Sequence, residues 1–446
     1  MKTASRIRVK NFMNSAFKEF SLHDNVRSVP TIFDGLKPSQ RKALYGVQLR
    51  GERADELQVE RLATAVAAAT DYHHGAGSMA STIIGMANNY PGTNNLNLFI
   101  PSGQFGSRLS KESAAARYIF TSFSPNFRKV FRKEDDAILV NKYSDGSKIE
   151  PEHYLPILPM MLVNGAQGTG TGHACVILNY HPDDIVAAVQ QVLKGKKLVA
   201  NTLVPWFRGF NGTVQRNKEN GQVVISGKME IVNSTTIRIT ELPIGTYLDQ
   251  YKAVLNSLEE DGFIRDYVDS STEEAFDFLI SVPRTTTALS EEELFKRFKL
   301  VSRDTENFTL WNEKGILERF DSAEAVVERF VEWRTGVYEV RRQAIIKNTE
   351  SEIENDNMRI RFINFYLSNT GLFKNTGKAE LIKILLDNDF PEYEKLLSMQ
   401  MWNLTRDKIE ELKKGVADKK QYLATVKADT AATMFTRELK EFKYAD

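Results

Sequence analysis

Asp34-Gly35-Leu36-Lys37-Pro38-Ser39-Gln40-Arg41-Lys42-Ala43-Leu44-Tyr45 is the stretch that organises the reading of this chain. Asp34-Gly35 is a turn dipeptide. The ring-fixed φ of Pro38 suits the first turn of a helix. The spacing predicts a helix over 39–48. Further helices are expected over 57–71 and 78–89, with a charged loop over 50–56 between the first two. Short helices with basic residues at their ends suit a helix-turn-helix or winged-helix module. Upstream, residues 1–30 form an amphipathic arm. Its apolar positions Ile7, Val9, Phe12, Ala16, Phe17 and Phe20 mix strand-like and helical spacing.

The wider composition bounds the possibilities. A chain of 446 residues exceeds one ordinary core and predicts two to four domains. No apolar run approaches the roughly 18–20 residues that span a bilayer. One cysteine, Cys175, excludes an internal disulfide and a Cys-based zinc site, which favours a reducing compartment. The net charge of +1 hides an asymmetry. Residues 1–61 hold 12 Lys/Arg against 7 Asp/Glu, and residues 101–134 hold 7 against 2, so the remainder is net acidic. A basic groove on a near-neutral protein is compatible with phosphate binding, and equally with a solvated surface.

Beyond residue 150 the pattern changes. Short β-rich runs at 221–226, 235–240 and 308–311 alternate with helical stretches at 182–193 and 248–261, which reads as an α/β region. From Asp321 the chain reads almost wholly helical. Val326, Phe330, Trp333, Val337, Val340 and Ala344 follow heptad spacing, as do Ile409, Leu412, Val416, Leu423 and Val426, with Lys419 off pattern. Two such segments joined by helical sequence predict an antiparallel coiled coil with a knob at its far end, or else an ordinary helical bundle.

Chemistry concentrates in three places. The first is the segment quoted above. The second is Tyr72-His73-His74-Gly75. The third is Gly103-Gln104-Phe105-Gly106-Ser107-Arg108, followed by Ala114-Ala115-Ala116-Arg117-Tyr118. Tyr118 is one of 15 tyrosines, most of which serve packing. Arg117 beside it, in a basic segment after a Gly-rich turn, raises its candidacy as a nucleophile. A phenol attacks phosphorus only when cations stabilise the charge that develops on the phosphate oxygens. Arg41, His74 and Arg117 would form such a cradle if the fold gathers them. His73 and His74 also admit a metal-ligand reading. Adjacent residues point in different directions and no third ligand stands at the right spacing, so phosphate contact is preferred for His74. Glu134-Asp135-Asp136 reads as solvated surface. No phosphate-binding P-loop and no dinucleotide fingerprint is present.

These segments resemble the central region of type IIA DNA topoisomerases, the family of gyrase, topoisomerase IV and eukaryotic topoisomerase II. The resemblance covers nearly the whole chain. It runs from Ser21–Pro30 and the quoted box through Ala114–Tyr118, and on to 155–174, 206–214, 239–247 and Tyr393–Thr405. The wording is nearer the eukaryotic branch than gyrase. The resemblance implies an α+β multidomain fold. Its parts would be an N-terminal arm over 1–30, a winged-helix DNA-gate domain over 31–150, an α/β tower domain over 151–320, and a long antiparallel coiled coil over 321–446. The coiled coil would end in a helical dimer gate at about 362–405.

By the same resemblance Tyr118 is the catalytic nucleophile, with Arg117, Arg41 and His74 as catalytic partners. His73, Lys37, Lys42, Gln104, Ser107, Arg108 and Thr169 are DNA-binding candidates, and no metal ligand is assigned to the chain. The implied partners are double-stranded DNA, a second copy of the chain, and a Toprim/ATPase subunit that binds Mg²⁺ and ATP. Together these would give a heterotetramer or larger assembly, with no membrane. A natural split subunit is the expected form, as in gyrase-type enzymes or those of large tailed phages, with an excised fragment of a longer chain as the alternative; the cytoplasm of a bacterial or phage-infected cell is expected ahead of a nucleus. No room remains for a DNA-wrapping C-terminal domain, so negative supercoiling is not expected. Two rivals are disfavoured. A tyrosine recombinase would carry its tyrosine near the C-terminus, and an inactive DNA scaffold would not need the intact Arg117-Tyr118 pair.

Thr169, in Gln167-Gly168-Thr169-Gly170, stands where the family places an isoleucine that wedges between base pairs. A smaller, partly polar side chain predicts a shallower kink in bound DNA. A DNA complex seen by crystallography or cryo-EM tests this; a full wedge made by another residue would contradict it.

Overall fold

In a computed structural model, residues 7–51 and 55–444 of the chain are described. Residues 52–54 of the expected charged loop, and the first six residues of the arm, lie outside that part. The chain divides into two compact units. One runs to Arg334 and resumes at Thr436; the other is Thr335–Phe435.

In the first unit the arm resolves into two helices, α1 (Val9–Asn14) and α2 (Ala16–Ser28), which explains its mixed apolar spacing. The quoted box then makes a turn and a helix, α3 (Pro38–Arg50). Pro38 occupies the first turn. The Gln40 side chain accepts a hydrogen bond from the Lys37 backbone N–H at 2.8 Å, satisfying a donor the helix leaves orphaned. Two more helices, α4 (Val59–Ala69) and α5 (Gly75–Ala87), pack with α3 and with each other. Leu62, Ala63, Val66, Met79 and Ile83 are fully buried there. Gly46 is the close-approach point: a Cβ on it would lie 2.4 Å from Val66 Cγ2, so α3 and α4 cross only because glycine lacks that atom.

The turn ahead of α3 is held by a buried ion pair. Arg41 reaches back seven residues and grips Asp34 bidentately, with Nε to Oδ2 at 2.7 Å and Nη2 to Oδ1 at 2.8 Å. Asp34 also accepts from the backbone N–H of Leu36 (3.0 Å) and of Tyr154 (2.9 Å). Burial alone would raise the Asp34 carboxyl, but the charge and hydrogen bonds of Arg41 hold it below the usual carboxylate range. Gly35, at φ +68°, lies against the Met161 backbone, and Ile32 donates to the Trp311 carbonyl at 2.9 Å. Residues far apart in sequence therefore converge on this turn.

Short β-elements surround the helices. Strands β1 (Leu57–Gln58) and β2 (Phe120–Thr121) pair antiparallel, and Ser102 bridges Phe120. Two hairpins follow, β3–β4 (Asn141–Ser144, Ser147–Pro151) and β5–β6 (Ala166–Gly170, His173–Ile177). Farther on, β7 (Thr213–Arg216), β8 (Val223–Ser226) and β13 (Val301–Asp304) form a sheet of order β13-β8-β7. Strands β9 (Lys228–Asn233), β10 (Thr236–Glu241), β11 (Asp266–Asp269) and β12 (Phe278–Ser281) form another, of order β11-β12-β10-β9. Its inner face, with Ile237, Ile239, Phe278 and Ile280, packs with Tyr251 and Leu255 of the helix Leu248–Glu260. Strands β14 (Phe308–Trp311) and β15 (Leu317–Phe320) close the series. The α/β character expected beyond residue 150 is present.

The helix Ala323–Ser368 begins in the first unit. Its buried stripe corrects the expected heptad. Val326 and Phe330 are buried, but Val340 is 59% exposed, and the buried positions continue through Val331, Arg334, Tyr338 and Arg341, one residue along. Two arginines on the inner face made that stripe invisible to a hydrophobicity pattern. Arg334 is paired with Asp135, so Asp135 is buried, not the solvated surface expected of its acidic run.

In the second unit, Lys427 of the helix Arg406–Ala428 pairs with Glu350 (2.6 Å), while Lys419 pairs with Asp356 (2.8 Å) and Glu352 (3.0 Å). Rising numbers on one helix meet falling numbers on the other, so the two run antiparallel. Lys419 breaks the apolar heptad because it faces Asp356. Phe362 of the long helix forms a small core with Leu385, Phe390 and Leu396 of the segment that joins the two helices.

Asp34→Ala would leave Arg41 charged and buried without its partner. We expect a loss of about 3–5 kcal/mol in urea unfolding at neutral pH. Because the Asp34 carboxyl is held low, this contribution is complete above the unfolded carboxylate range and fades as pH falls through the lower folded value. A loss below about 1 kcal/mol would show that the pair is not a structural anchor.

Candidate nucleic-acid interface

Tyr118 sits just before β2, on a segment fastened to the start of α4. Val59 donates to the Ile119 carbonyl (3.0 Å), Glu60 to the Ala116 carbonyl (3.1 Å), and the Gln58 side chain to the Arg117 carbonyl (2.7 Å). The backbone is thus fixed while the side chains project outward. Tyr118 is 67% exposed, and among the described residues its hydroxyl has no hydrogen-bond partner. The Arg117 guanidinium carbon lies 4.9 Å from the Tyr118 ring centroid. An anchored, solvent-facing phenol with a cation beside it is the arrangement that nucleophilic attack on a phosphodiester requires.

Gln104 shapes this segment from below. Its side-chain oxygen accepts from the Ala114 N–H at 2.7 Å, and its amide donates to the Glu112 carbonyl at 3.1 Å. Both ends of the amide therefore serve the loop that leads to Tyr118. Ser107 and Arg108 are likewise engaged inside the fold. Ser107 is buried and bonds within its own turn. Arg108 is buried against Glu241 (3.1 Å) and donates to the Leu242 carbonyl (2.9 Å).

A separate groove of about 720 Å³ is lined by α2, the start of α3 and the loop before α5. Arg27, Lys42, His23, His73 and His74 line it, together with Asp24 and Asp71. His73 and His74 directly precede the N-terminus of α5, and Ser78 follows it, so a helix end adds partial positive charge between them. Lys42 is positioned by Glu150 (2.9 Å) and by the Thr70 carbonyl. His73 Nε2 lies 3.4 Å from Asp71, whose carboxyl is held low chiefly by its hydrogen bond from Ser144.

Arg41 is not in this groove. Its guanidinium donates to Asp34, Thr31 and the Leu36 carbonyl. Arg27, one helix earlier, presents the groove's guanidinium instead. Arg27 is not among the residues expected from the motifs. The available signal was a lone cation near the end of α2, three residues before the Pro30 that precedes the box. Of the expected cradle, His74 lines this groove, while Arg41, Arg117 and Tyr118 do not.

Lys37 lines another cavity, with Gln40, Asn164 and Gln167, where burial lowers its ammonium below the ordinary value. Thr169 is exposed on β5, opposite Ala174 of β6.

The two arginines are separable by experiment. Arg27→Ala should leave stability within about 0.5 kcal/mol, while affinity for a phosphate polyanion such as duplex DNA falls about tenfold. Arg41→Ala should destabilise the fold. Affinity unaffected by loss of Arg27 in a stable protein would remove it from the site.

Residues 27–440 match the family of DNA gyrase/topoisomerase IV A subunits. DNA topoisomerase 2 of Arabidopsis thaliana is 41% identical over 398 residues, covering 87% of this chain and 27% of that protein. DNA topoisomerase 2-alpha of Rattus norvegicus is 35% identical, covering 99% of this chain and 32% of that protein. The chain thus spans about a third or less of these two relatives. The Plasmodium falciparum topoisomerase II DNA-binding, cleavage and re-ligation domain superposes with a TM-score of 0.89 at 33% identity, covering 97% of this chain and 63% of that one. The chain belongs to the family of DNA gyrase/topoisomerase IV A subunits.

Proposed function

We propose that this chain is the DNA breakage-and-reunion component of a type IIA topoisomerase, with Tyr118 as nucleophile. The observation that carries the reading is the anchored, exposed Tyr118 beside Arg117 in a chain of this family. The Tyr118 phenol oxygen bonds to a backbone phosphorus as the bond from phosphorus to the 3′-oxygen breaks. The phenol proton leaves, the 3′-oxygen takes up a proton, and a 5′-phosphotyrosyl link remains. That link conserves the energy of the phosphodiester, so the 3′-hydroxyl reverses the step without an external energy source. Arg117 stabilises charge on the phosphate. Arg27, Lys42, His73 and His74 bind backbone phosphates along the groove, and Lys37 and Thr169 contact the same duplex.

In this reading the three packed helices and the β1–β2 ribbon form a winged-helix domain within 31–150. The sheets over 151–320 form the tower, and the helices from 321 form the coiled coil, with its dimer gate at about 362–405. Two copies act as a homodimer, one tyrosine per strand. Among the described residues no three His, Cys, Asp or Glu side chains are placed to hold a metal. A partner with Toprim and ATPase domains supplies Mg²⁺ and ATP, giving a heterotetramer or larger assembly that works in the cytoplasm. No described helix is long and apolar enough to cross a membrane.

The test is covalent trapping. The chain, with a Toprim/ATPase partner, Mg²⁺ and end-labelled supercoiled DNA, is stopped with detergent. Protein attached to 5′ ends is expected, and Tyr118→Phe should abolish it while leaving DNA affinity within a few-fold. Covalent product that survives Tyr118→Phe would reject the assignment.

A further inference from the structure

The hairpin β5–β6 and the cationic groove are joined through one carboxylate. Asp24, on α2, accepts a hydrogen bond from the Thr171 hydroxyl at 2.8 Å on one oxygen and from Arg27 Nη2 at 3.0 Å on the other. Thr171 is at the hairpin tip, two residues beyond Thr169. The neighbouring Asn25 side chain donates to the Thr171 carbonyl at 3.1 Å. The hairpin is seated directly on α2. A Cβ on Gly170 would lie 2.2 Å from Asn25 Oδ1, and one on Gly168 would lie 2.0 Å from the Ser28 carbonyl. Neither glycine tolerates a side chain unless the hairpin lifts away.

Exposure separates the roles. The Asp24 side chain is largely covered, whereas the Arg27 side chain is mostly open to solvent. Asp24 therefore sits behind Arg27 and restricts its rotamers from the protein side. Its carboxyl is held below the usual range first by the Thr171 hydroxyl and then, against desolvation, by Arg27. Loss of the Thr171 hydroxyl leaves Asp24 with Arg27 alone. Any lift of the hairpin breaks the contact that fixes how Asp24 presents Arg27.

We propose that Asp24 is a positioning residue that couples the seating of the β5–β6 hairpin on DNA to the orientation of Arg27 in the groove. This rests on the breakage-and-reunion reading, which puts both elements on the same duplex. A hairpin that stays seated on α2 keeps Thr171 on Asp24 and Arg27 aimed into the groove, whereas a duplex that lifts the hairpin releases Thr171 and loses that aim, so hairpin seating and presentation of the cation become one event. Asp24 need not touch DNA.

A double-mutant cycle between Thr171→Val and Arg27→Ala tests the coupling, read both as DNA affinity and as the rate of covalent product formation with the Toprim/ATPase partner. Thr171→Val should lower the cleavage rate about tenfold with affinity changed less than about threefold. Thr171→Ser, which keeps the hydroxyl, should restore it. In the Arg27→Ala background, Thr171→Val should have no further effect on cleavage, and the cycle in affinity should show coupling of at least about twofold. Effects that simply multiply in both readouts would overturn the proposal, as would wild-type cleavage by Thr171→Val. Asp24→Asn should reproduce Thr171→Val; if it melts early, the Thr171 series decides alone. Failure of the wild-type protein to form covalent product with any partner would reject the enzymatic reading, and the affinity cycle would still decide the coupling.

Discussion

The first unit is organised around a charge that cannot be left alone. Asp34 and Arg41 are both buried, and each would be strongly disfavoured in that setting without the other. Their bidentate geometry, with two further backbone N–H groups on the carboxylate, satisfies most of what burial takes away. The pair fixes the turn before α3, and the turn in turn fixes Tyr154, Met161 and Trp311. A hydrophobic replacement of similar volume would fill the space. It would not direct backbone donors from residues 36 and 154 to one point.

The candidate interface is built outward from that anchor. Arg41 faces inward, and the next residue, Lys42, faces the groove, held there by Glu150. The groove is completed by α2 and by the loop before α5. Tyr118 is placed by different means, a short β-ribbon and hydrogen bonds to the first turn of α4. The scaffold is rigid where it holds backbone and open where side chains meet solvent. The proposed role, in which the site accepts a long, uniform polyanion and then acts at one phosphorus, needs both properties.

Much of this was legible in the sequence. Pro38, the Gly-rich turn before Ala114 and the apolar periodicity gave the helices within a few residues, because each depends on local chemistry. The Tyr118 and Arg117 pairing was readable from adjacency and motif. Cations were harder. Arg41, Arg108 and Arg27 look alike in a sequence, and only tertiary structure assigns Asp34 to the first, Glu241 to the second and solvent to the third. The same limit shifted the long helix by one residue. Arg334 and Arg341 lie on its buried face, and Asp135, the partner of Arg334, is remote in sequence, so no local pattern announces it. Lys419 shows the converse, an off-pattern residue whose reason is the opposing Asp356.

The central claim is that one phenol oxygen, that of Tyr118, becomes bonded to DNA. The most direct measurement is peptide mass spectrometry of the trapped, nuclease-digested complex formed with a Toprim/ATPase partner. The account predicts a 5′-linked nucleotide adduct on the peptide containing Arg117-Tyr118, localised to residue 118. An adduct on another residue would contradict it, as would repeated cleavage of DNA with no adduct on the chain.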